Sequence, residues 1–235
     1  MKIRLPLWFG ALLLISMALS LPATKSSGPQ KIKSFEIKDE PHHHLKFENE
    51  FVRVWETLLP AGEITLWHRH NFDNVAVTIT DAKLGMEAPS APEVTQSETK
   101  MGDVAFRSAS YIHRAVNLGP ALYDNFLVEI LKAPAASPTT QKDESGRKPV
   151  FENDRVRIFR VSLAPGETLP MHTHPVAGLA LTLRSAEIAI TTNGSSTIQK
   201  LKVTQGDVRW RADPVTHSIT NTGKTRFEAV DVELK

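Results

Sequence analysis

The chain has 235 residues, of which 41% are hydrophobic, so it can build either one large core or two small ones. It contains no cysteine, which excludes disulfide bonds, thiolate metal sites and a cysteine nucleophile. Its formal net charge of +2 gives no argument for binding to nucleic acid or to an anionic membrane.

The N-terminal segment MKIRLPLWFGALLLISMALSLPA, residues 1–23, places Lys2 and Arg4 before an uncharged apolar run that ends in small residues. This order is typical of a cleaved secretory signal peptide, and an uncleaved membrane anchor is the alternative. Cleavage would remove two basic residues and no acidic ones, leaving 26 of each sign. We therefore expect an exported protein, periplasmic or extracellular, that binds neither nucleic acid nor a membrane after signal removal.

Residues 24–39 are interpreted as an N-terminal tail. The run His42-His43-His44 follows Pro41 and resembles a weak surface metal clip. Because no strand is predicted before it, this run is also interpreted as a tail rather than as a native metal site.

An internal repeat organises the rest of the chain. FENEFVRVWETLLPAGE from Phe47 matches FENDRVRIFRVSLAPGE from Phe151 at an offset of 104 residues. The same offset relates further residues: His68 to His172, His70 to His174, Gly102 to Gly206, His113 to His217, and Asn117 to Asn221. The repeat predicts two domains, residues 40–133 and 148–235, joined by a Pro- and Ser-rich linker at 134–147.

The hydrophobic pattern within each copy predicts short strands and no long helix. Val75, Val77 and Ile79 alternate with other residues, as do their equivalents Leu179, Leu181 and Leu183. Asn193-Gly194 predicts a hairpin turn, and APSAPEVTQSET, residues 88–99, predicts a loop. The fold class predicted from these patterns is all-β, built as barrels or sandwiches.

The repeated histidines predict metal binding. Residues i and i+2 of a strand point to the same face, so His68 and His70 project together, as do His172 and His174. A third imidazole in each copy comes from a distant strand. A buried imidazole needs a polar partner, and a metal ion supplies one to three imidazoles at once. Metal binding therefore explains two such sets better than core packing does.

These residues carry a resemblance to a known family. The patterns G-x5-H-x-H at Gly62 and Gly166, and the later segments beginning at Gly102 and Gly206, resemble the two motifs of the cupin superfamily, duplicated as in bicupins. The resemblance implies two tandem cupin-type antiparallel β-barrels, each with a divalent metal ion. The implied ligands are two sets of three histidines: His68, His70 and His113, and His172, His174 and His217.

Two features depart from the family pattern. The glutamate that usually follows the second histidine after three or four residues is absent. Those places hold Asn74 and Val75 in the first copy, and Gly178 and Leu179 in the second. The Pro-x-Gly of the second motif is replaced by residues 108–110 and 212–214. Asn74 is a candidate amide ligand in the first copy, whereas Asn117 and Asn221 are interpreted as turn or supporting groups.

A centre of three neutral imidazoles favours Fe, Mn, Ni, Cu, Co or Zn over Mg or Ca and attracts an anionic small molecule. Two functions stay open. One is a metal-dependent enzyme of the oxygenase or lyase type, acting on a small organic acid or diketone-like compound; the other is a non-catalytic cupin that binds metal or a small ligand. Arg107 and Arg211, at equivalent positions near a strand end, are candidates to meet an anion, with solvated rim charge as the default interpretation. Barrel edges make a homodimer reasonable.

Overall fold

The computed structural model describes residues 32–133, 147–212 and 214–235. The predicted signal peptide, the first half of the predicted tail and nearly all of the predicted linker lie outside these residues. The described part consists of strands and one short 3₁₀ helix, which confirms the all-β prediction. Within it, no helix has the length and apolar character that crossing a membrane requires.

The first half contains ten strands and the 3₁₀ helix η1. Their bounds are β1 Phe35–Glu36, η1 Ile37–Asp39, β2 His43–Glu48, β3 Val52–Leu59, β4 His68–His70, β5 Asn74–Thr78, β6 Ala82–Ala88, β7 Ala91–Thr99, β8 Val104–Arg107, β9 Tyr111–Asn117 and β10 Tyr123–Ile130. They form two five-stranded sheets, in the orders β1-β4-β9-β6-β7 and β2-β3-β10-β5-β8.

The second half repeats this arrangement without a described equivalent of β1. Its strands are β11 Lys148–Glu152, β12 Val156–Leu163, β13 Thr168–His174, β14 Gly178–Arg184, β15 Ala186–Thr192, β16 Ile198–Val203, β17 Val208–Arg211, β18 Val215–Asn221 and β19 Phe227–Leu234. They form sheets in the orders β11-β12-β19-β14-β17 and β13-β18-β15-β16. In each half, the two sheets form one barrel, as the fold prediction requires.

The strand registers of the two halves agree at the predicted offset. Ala82 pairs with Thr99 across β6 and β7, and Ala186 pairs with Val203 across β15 and β16. The hairpin turn predicted at Asn193-Gly194 lies between β15 and β16, with Gly194 at φ 77°. Residues 104 apart are therefore structurally equivalent along these hairpins, not only similar in sequence.

The largest apolar core belongs to both halves at once. Its members come from β3, β5 and β10 with the loop after β5, and from the equivalent elements β12, β14 and β19. They are Val52, Val54, Val75, Val77, Ile79, Phe126, Val128, Ile130, Val156, Ile158, Leu179, Leu181, Leu183, Val230, Val232 and Leu234, each at most 2% exposed. Every first-half member has its equivalent 104 residues later, so both halves contribute the same face of the same strands.

Aromatic side chains extend this shared core. Trp210 of the second half stacks on Phe51 and Phe47 of the first, with ring centroids 5.7 and 6.2 Å apart. Phe106 stacks on Phe151 at 5.7 Å. Residues 32–235 accordingly form one compact unit.

Two local predictions are wrong. The predicted loop at 88–99 is mostly strand β7, because pairing with β6 outweighs its loop-like composition. Pro92 lies within β7, and proline is tolerated there because β7 is an edge strand of its sheet. The interpretation of His42–His44 as a tail without a scaffold also fails, since His43 and His44 pair with β3. The end of the predicted tail is ordered as well, because Phe35 and Glu36 pair with β4.

Candidate metal centres

Strand pairing brings each predicted set of three histidines together. His68 and His70 lie on β4, and β9 places His113 directly opposite His68. The same register recurs in the second half, where β18 places His217 opposite His172. The imidazoles of each set lie close enough to share one ion. We name these sets triad 1 (His68, His70, His113) and triad 2 (His172, His174, His217).

Triad 2 converges through its Nε2 atoms. His174 Nε2 lies 3.1 Å from His172 Nε2 and 3.1 Å from His217 Nε2. Two nitrogens bound about 2.1 Å from one ion at angles of about 90° to 109° lie about 3.0 to 3.4 Å apart. The spacing therefore fits three ligands of one ion. A single metal ion is the one partner that three converging imidazole nitrogens can share.

Triad 1 has the same form. His70 Nε2 lies 2.9 Å from His113 Nε2, and the ring centroids of His68 and His113 are 4.4 Å apart. His68 Nε2 is buried and has no hydrogen-bond partner among the described residues. An unpartnered buried nitrogen costs free energy, and an ion at the centre of the triad would satisfy it.

Backbone carbonyls hold one histidine of each triad in the orientation that a metal requires. His68 Nδ1 donates to the carbonyl oxygen of Leu66 at 2.8 Å, and His172 Nδ1 donates to that of Pro170 at 2.7 Å. A proton on Nδ1 leaves the lone pair of Nε2 free to bind an ion. Equivalent carbonyls perform this function in both halves.

Five of the six triad histidines have a pKa below the usual value for histidine. Burial, followed by repulsion from His43, lowers the pKa of His68 to about 4. Burial and the neighbouring His174 and His172 lower the pKa of His217 to about 3. Burial also lowers the pKa values of His70, His113 and His172. Metal binding at neutral pH therefore does not have to displace protons from these residues.

Each triad opens into its own cavity. The cavity at triad 1 has a volume of about 650 Å³, and the cavity at triad 2 about 420 Å³. Arg107 lines the first and Arg211 the second, so these two arginines do not lie only at the solvated rim that the sequence suggests. Both volumes are within the range of small-molecule sites.

A dyad that the sequence analysis missed borders triad 1. The ring of His43 lies 4.7 Å from that of His68, and its Nδ1 contacts the carboxylate of Glu40 at 2.5 Å. Burial alone would raise the pKa of Glu40, but hydrogen bonds from His43, His42 and the Leu66 amide hold it at about 2. His43 thus faces the first cavity with its Nδ1 anchored to a carboxylate.

An ionic cluster occupies the equivalent place beside triad 2. Arg147, 104 residues after His43, donates through Nη1 to Asp231 at 2.7 Å and to Glu233 at 2.9 Å. His174 Nδ1 lies 3.0 Å from Glu233 Oε1. Because the Arg147 guanidinium already balances these carboxylates, the His174, Asp231 and Glu233 group is not a second metal site. Its carboxylates instead orient His174.

Asn74 is not placed as a ligand. Its Oδ1 accepts a hydrogen bond from the Tyr111 hydroxyl at 3.2 Å, and the Tyr111 ring stacks on His70 with centroids 4.5 Å apart. Asn74 therefore orients the aromatic neighbour of His70 rather than contributing the amide oxygen expected from the sequence.

Asn117 and Asn221 close turns, as predicted. Asn117 Nδ2 donates to the carbonyls of Leu59 and Ala121, and its Oδ1 accepts from the Gly119 amide. Asn221 makes the same three contacts in the second half. Both are fully buried and lie at the ends of the strands that carry His113 and His217.

The altered turn before His113 keeps its geometry through Ser110. Ser110 has φ 68°, in the left-handed region that favours glycine, and its amide donates to the His70 carbonyl at 2.8 Å. Asp73 supports the turn by accepting from the Ala109 amide at 2.8 Å. These contacts hold the turn before β9 against β4, the strand of His68 and His70, without the usual Pro-x-Gly.

Comparisons with known proteins support the fold. No family model matches the chain, and no curated protein matches it. The solved structure of AerE from Microcystis aeruginosa is 13% identical, covers 83% of this chain and 93% of its own, and superposes with a TM-score of 0.63. A cupin 2 conserved barrel domain protein from Leptotrichia buccalis is 14% identical over 87% of this chain and 92% of its own, with a TM-score of 0.51.

An oxalate decarboxylase from Bacillus subtilis, studied for its Mn(II) centres, is 13% identical over 85% of this chain and 76% of its own, with a TM-score of 0.56. At these identities the likeness concerns the fold alone. The chain therefore has the cupin fold, with one barrel in each half.

Proposed function

We propose that this protein binds one divalent transition-metal ion at each triad and that the first barrel is an enzyme acting on a small, oxygen-rich organic acid. The convergence of three Nε2 atoms in each half carries the metal assignment. The same arrangement occurs twice, with the same register and the same carbonyl support for His68 and His172. Packing requirements alone would not demand this repetition.

The three imidazole ligands of each triad fit a divalent transition-metal ion of intermediate hardness. Three neutral imidazoles without a carboxylate suit Mn, Fe, Co, Ni, Cu or Zn, and they leave the ion's charge uncompensated. Once bound, such an ion supplies Lewis-acid chemistry and attraction for an anionic oxygen. The Mn(II) centres of the Bacillus subtilis oxalate decarboxylase agree with this chemistry on a similar fold.

The walls of the first cavity favour an oxygen-rich acid. Arg107 lines it and contributes positive charge. Asn125 Oδ1 and Thr99 Oγ1 are buried without hydrogen-bond partners among the described residues, and both side chains line the same cavity. Ligand hydroxyl groups would satisfy them. We infer a hydroxylated carboxylic acid as the class of substrate.

His43 is the candidate proton carrier of the first barrel. Its Nδ1 is held by the buried carboxylate of Glu40, which orients the ring and leaves Nε2 as the nitrogen available to a ligand. A base in this position can take a proton from a hydroxyl or from the carbon next to a carboxylate. This role favours a lyase-type reaction over one that needs no base.

The proposal is tested first by metal content. Purified protein reconstituted with Mn(II), Co(II) or Zn(II) is expected to retain up to two ions per chain by elemental analysis. His70→Ala and His174→Ala are each expected to remove one, and the double variant both. His44→Ala is the matched control, since His44 is exposed and outside both triads. Equal metal content in all variants would refute the assignment.

The catalytic part is tested by turnover. Metal-loaded protein is incubated with hydroxylated mono- and dicarboxylic acids, with and without O2, and products are followed by NMR. A lyase converts substrate equally under both conditions, whereas an oxygenase requires O2. His43→Gln should retain the metal and lose turnover. If no acid is converted while both ions are retained, the non-catalytic binding function replaces the enzymatic one.

We also propose that residues 1–23 direct export and are removed. The protein isolated from its host is expected to begin between Leu21 and Ser27 by N-terminal sequencing. Recovery of intact Met1 in a membrane fraction would favour an anchor instead.

A further inference from the structure

The walls of the two cavities differ in polarity at equivalent positions. Six places that line the first cavity carry polar side chains: Thr57, Thr65, Thr99, Tyr111, Tyr123 and Asn125. Each has an apolar equivalent 104 residues later that lines the second cavity. These are Val161, Leu169, Val203, Val215, Phe227 and Ala229.

The apolar side chains of the second cavity belong to a buried cluster. Leu169, Val203 and Phe227 are each at most 5% exposed and pack together with Ile188. Some polar side chains remain, among them Thr182, the equivalent of Thr78. The change is therefore confined to part of the lining, and it reaches the triad itself, because Val215 pairs with His174.

The ionic side of the second cavity is also distinct. Asp231 stands where the first half has Leu127, and its carboxylate binds Arg147 and Arg211 at 2.7 Å each. These arginines are thus engaged by Asp231. The groups in this cavity that can receive an anionic ligand include Arg209, the imidazoles of triad 2, and the Arg211 Nη2 and Nε atoms, which are buried without partners among the described residues.

We propose that the second cavity binds a monocarboxylic acid with an apolar body, a different ligand class from that of the first cavity. The body contacts the wall of Val161, Leu169 and Val203, which offers no hydrogen bonds from its side chains. The carboxylate end points to triad 2, and that part rests on the proposed metal function. A hydroxylated acid is excluded because its hydroxyl groups would be buried against this wall without partners, at a cost of about tenfold in affinity each.

Methyl NMR on the intact chain separates the two cavities without any substitution. Ile188 lines the second cavity and Met86, at the place equivalent to Ile190, lines the first. In the Zn(II)-loaded protein, phenylacetate is expected to shift the Ile188 methyl signals and leave the Met86 methyl signal in place. Tartrate is expected to do the reverse. Equal shifts at both residues with either acid would overturn the proposal.

Toluene tests the apolar wall independently of the metal. In protein treated with EDTA, toluene is expected to shift the Ile188 methyl signals, since dry apolar cavities bind such molecules. If Zn(II) fails to bind but toluene still shifts Ile188, the metal function fails and the apolar assignment of the cavity stands. Absence of a toluene effect at Ile188 overturns the assignment of an apolar ligand.

Matched variants exchange the two walls. Val203→Thr with Ala229→Asn introduces the residues of the first half into the second cavity and is expected to weaken toluene and phenylacetate about tenfold or more. Thr99→Val with Asn125→Ala makes the reverse change in the first cavity. It is expected to weaken tartrate by a similar factor and leave phenylacetate unchanged. Unchanged phenylacetate affinity in a folded Val203→Thr and Ala229→Asn protein would overturn the proposal.

Discussion

Glu129 and Glu233 occupy equivalent positions, but their carboxylates have different partners. Glu233 Oε1 lies 3.0 Å from His174 Nδ1, whereas Glu129 accepts hydrogen bonds from Trp55 at 2.9 Å and from Arg53 at 3.4 Å. His70 Nδ1, the equivalent of the His174 atom, has no partner among the described residues. The two centres therefore share their histidines but not the groups behind them.

The pKa values of these two glutamates also shift in opposite directions. Burial raises the pKa of Glu129 despite its partners. Burial would also raise the pKa of Glu233, but His174 and Arg147 override this and lower it. The second barrel thus keeps a buried network of fixed charges, and the first barrel has His43 at the place of Arg147.

The first prediction concerns this network. Arg147→Met removes the cation shared by Asp231 and Glu233, which are 3% and 0% exposed. Leaving buried carboxylates with too little positive charge is expected to reduce the free energy of unfolding by about 3 to 5 kcal/mol. Urea denaturation at pH 7 measures the loss.

Two comparisons make this prediction specific. Arg184→Met breaks an exposed ion pair with Glu228 and is expected to cost less than about 1 kcal/mol. Adding Asp231→Leu, the residue that the first half holds there, should recover part of the loss caused by Arg147→Met. A loss no larger than that of Arg184→Met would contradict the proposed charge balance.

The second prediction is the pH dependence of the metal-free protein. The folded pKa values of His68 and His217 are about 4 and about 3, below the value of about 6.5 expected in the unfolded chain. Between these values the unfolded chain binds more protons, so stability is present above about pH 6.5 and decreases as the pH falls. In that window, each such histidine lowers the free energy of unfolding by about 1.4 kcal/mol for each unit by which the pH falls.

Urea denaturation of EDTA-treated protein at several pH values between 7.5 and 5 measures this slope. Replacing His68 with Gln should make the slope shallower, and replacing the exposed His44 with Gln should not. A stability that stays constant or increases toward acid would show that the triad histidines are protonated in the folded state.

The sequence was sufficient to predict the all-β class and the residues of both triads, because the strand alternation and the repeat can be read directly from it. Alternation along a strand places His68 and His70 on one face, and the repeat identifies the third member of each set. The partner strand of His113 is non-local, but the repeated spacing to Gly102 limits where it can lie. The resemblance to cupins supplied the two antiparallel barrels that local patterns do not determine.

The shared core and the charged residues that contact the triads could not be predicted from local sequence patterns. In VRVW at residues 52–55, apolar side chains occur on both faces of the strand, which is a sign of burial on both sides. Nothing local indicates that Val52 and Val54 meet the other half. Arg147 was assigned to the linker, although the offset of 104 aligns it with His43 and would have drawn attention to both.

The third prediction uses the strained turn before His113. Ser110 has φ 68°, where a side chain costs about 1 to 2 kcal/mol and glycine avoids that cost. After the greater chain entropy of glycine is subtracted, Ser110→Gly is expected to stabilise the protein by up to about 1 kcal/mol. Thermal denaturation measures the change. Ser108→Gly is the control, since Ser108 has no positive φ, and it is expected to be neutral or destabilising.

The last prediction concerns cooperativity between the halves. Phe126 of the first half and Val230 of the second are equivalent, fully buried members of the one core that both halves share. Phe126→Ala is expected to cost about 3 to 5 kcal/mol, and Val230→Ala somewhat less, because each leaves a cavity in that core. Since either loss weakens the packing of both halves, each variant should unfold in a single transition at lower urea. Trp fluorescence follows the first half through Trp55 and Trp67 and the shared core through Trp210, which stacks on Phe51. Far-UV circular dichroism follows the strands of both halves together. Ile190→Ala is the control, since Ile190 packs against the separate cluster inside the second barrel. Two resolved transitions in Phe126→Ala would show that the barrels unfold independently despite their common core.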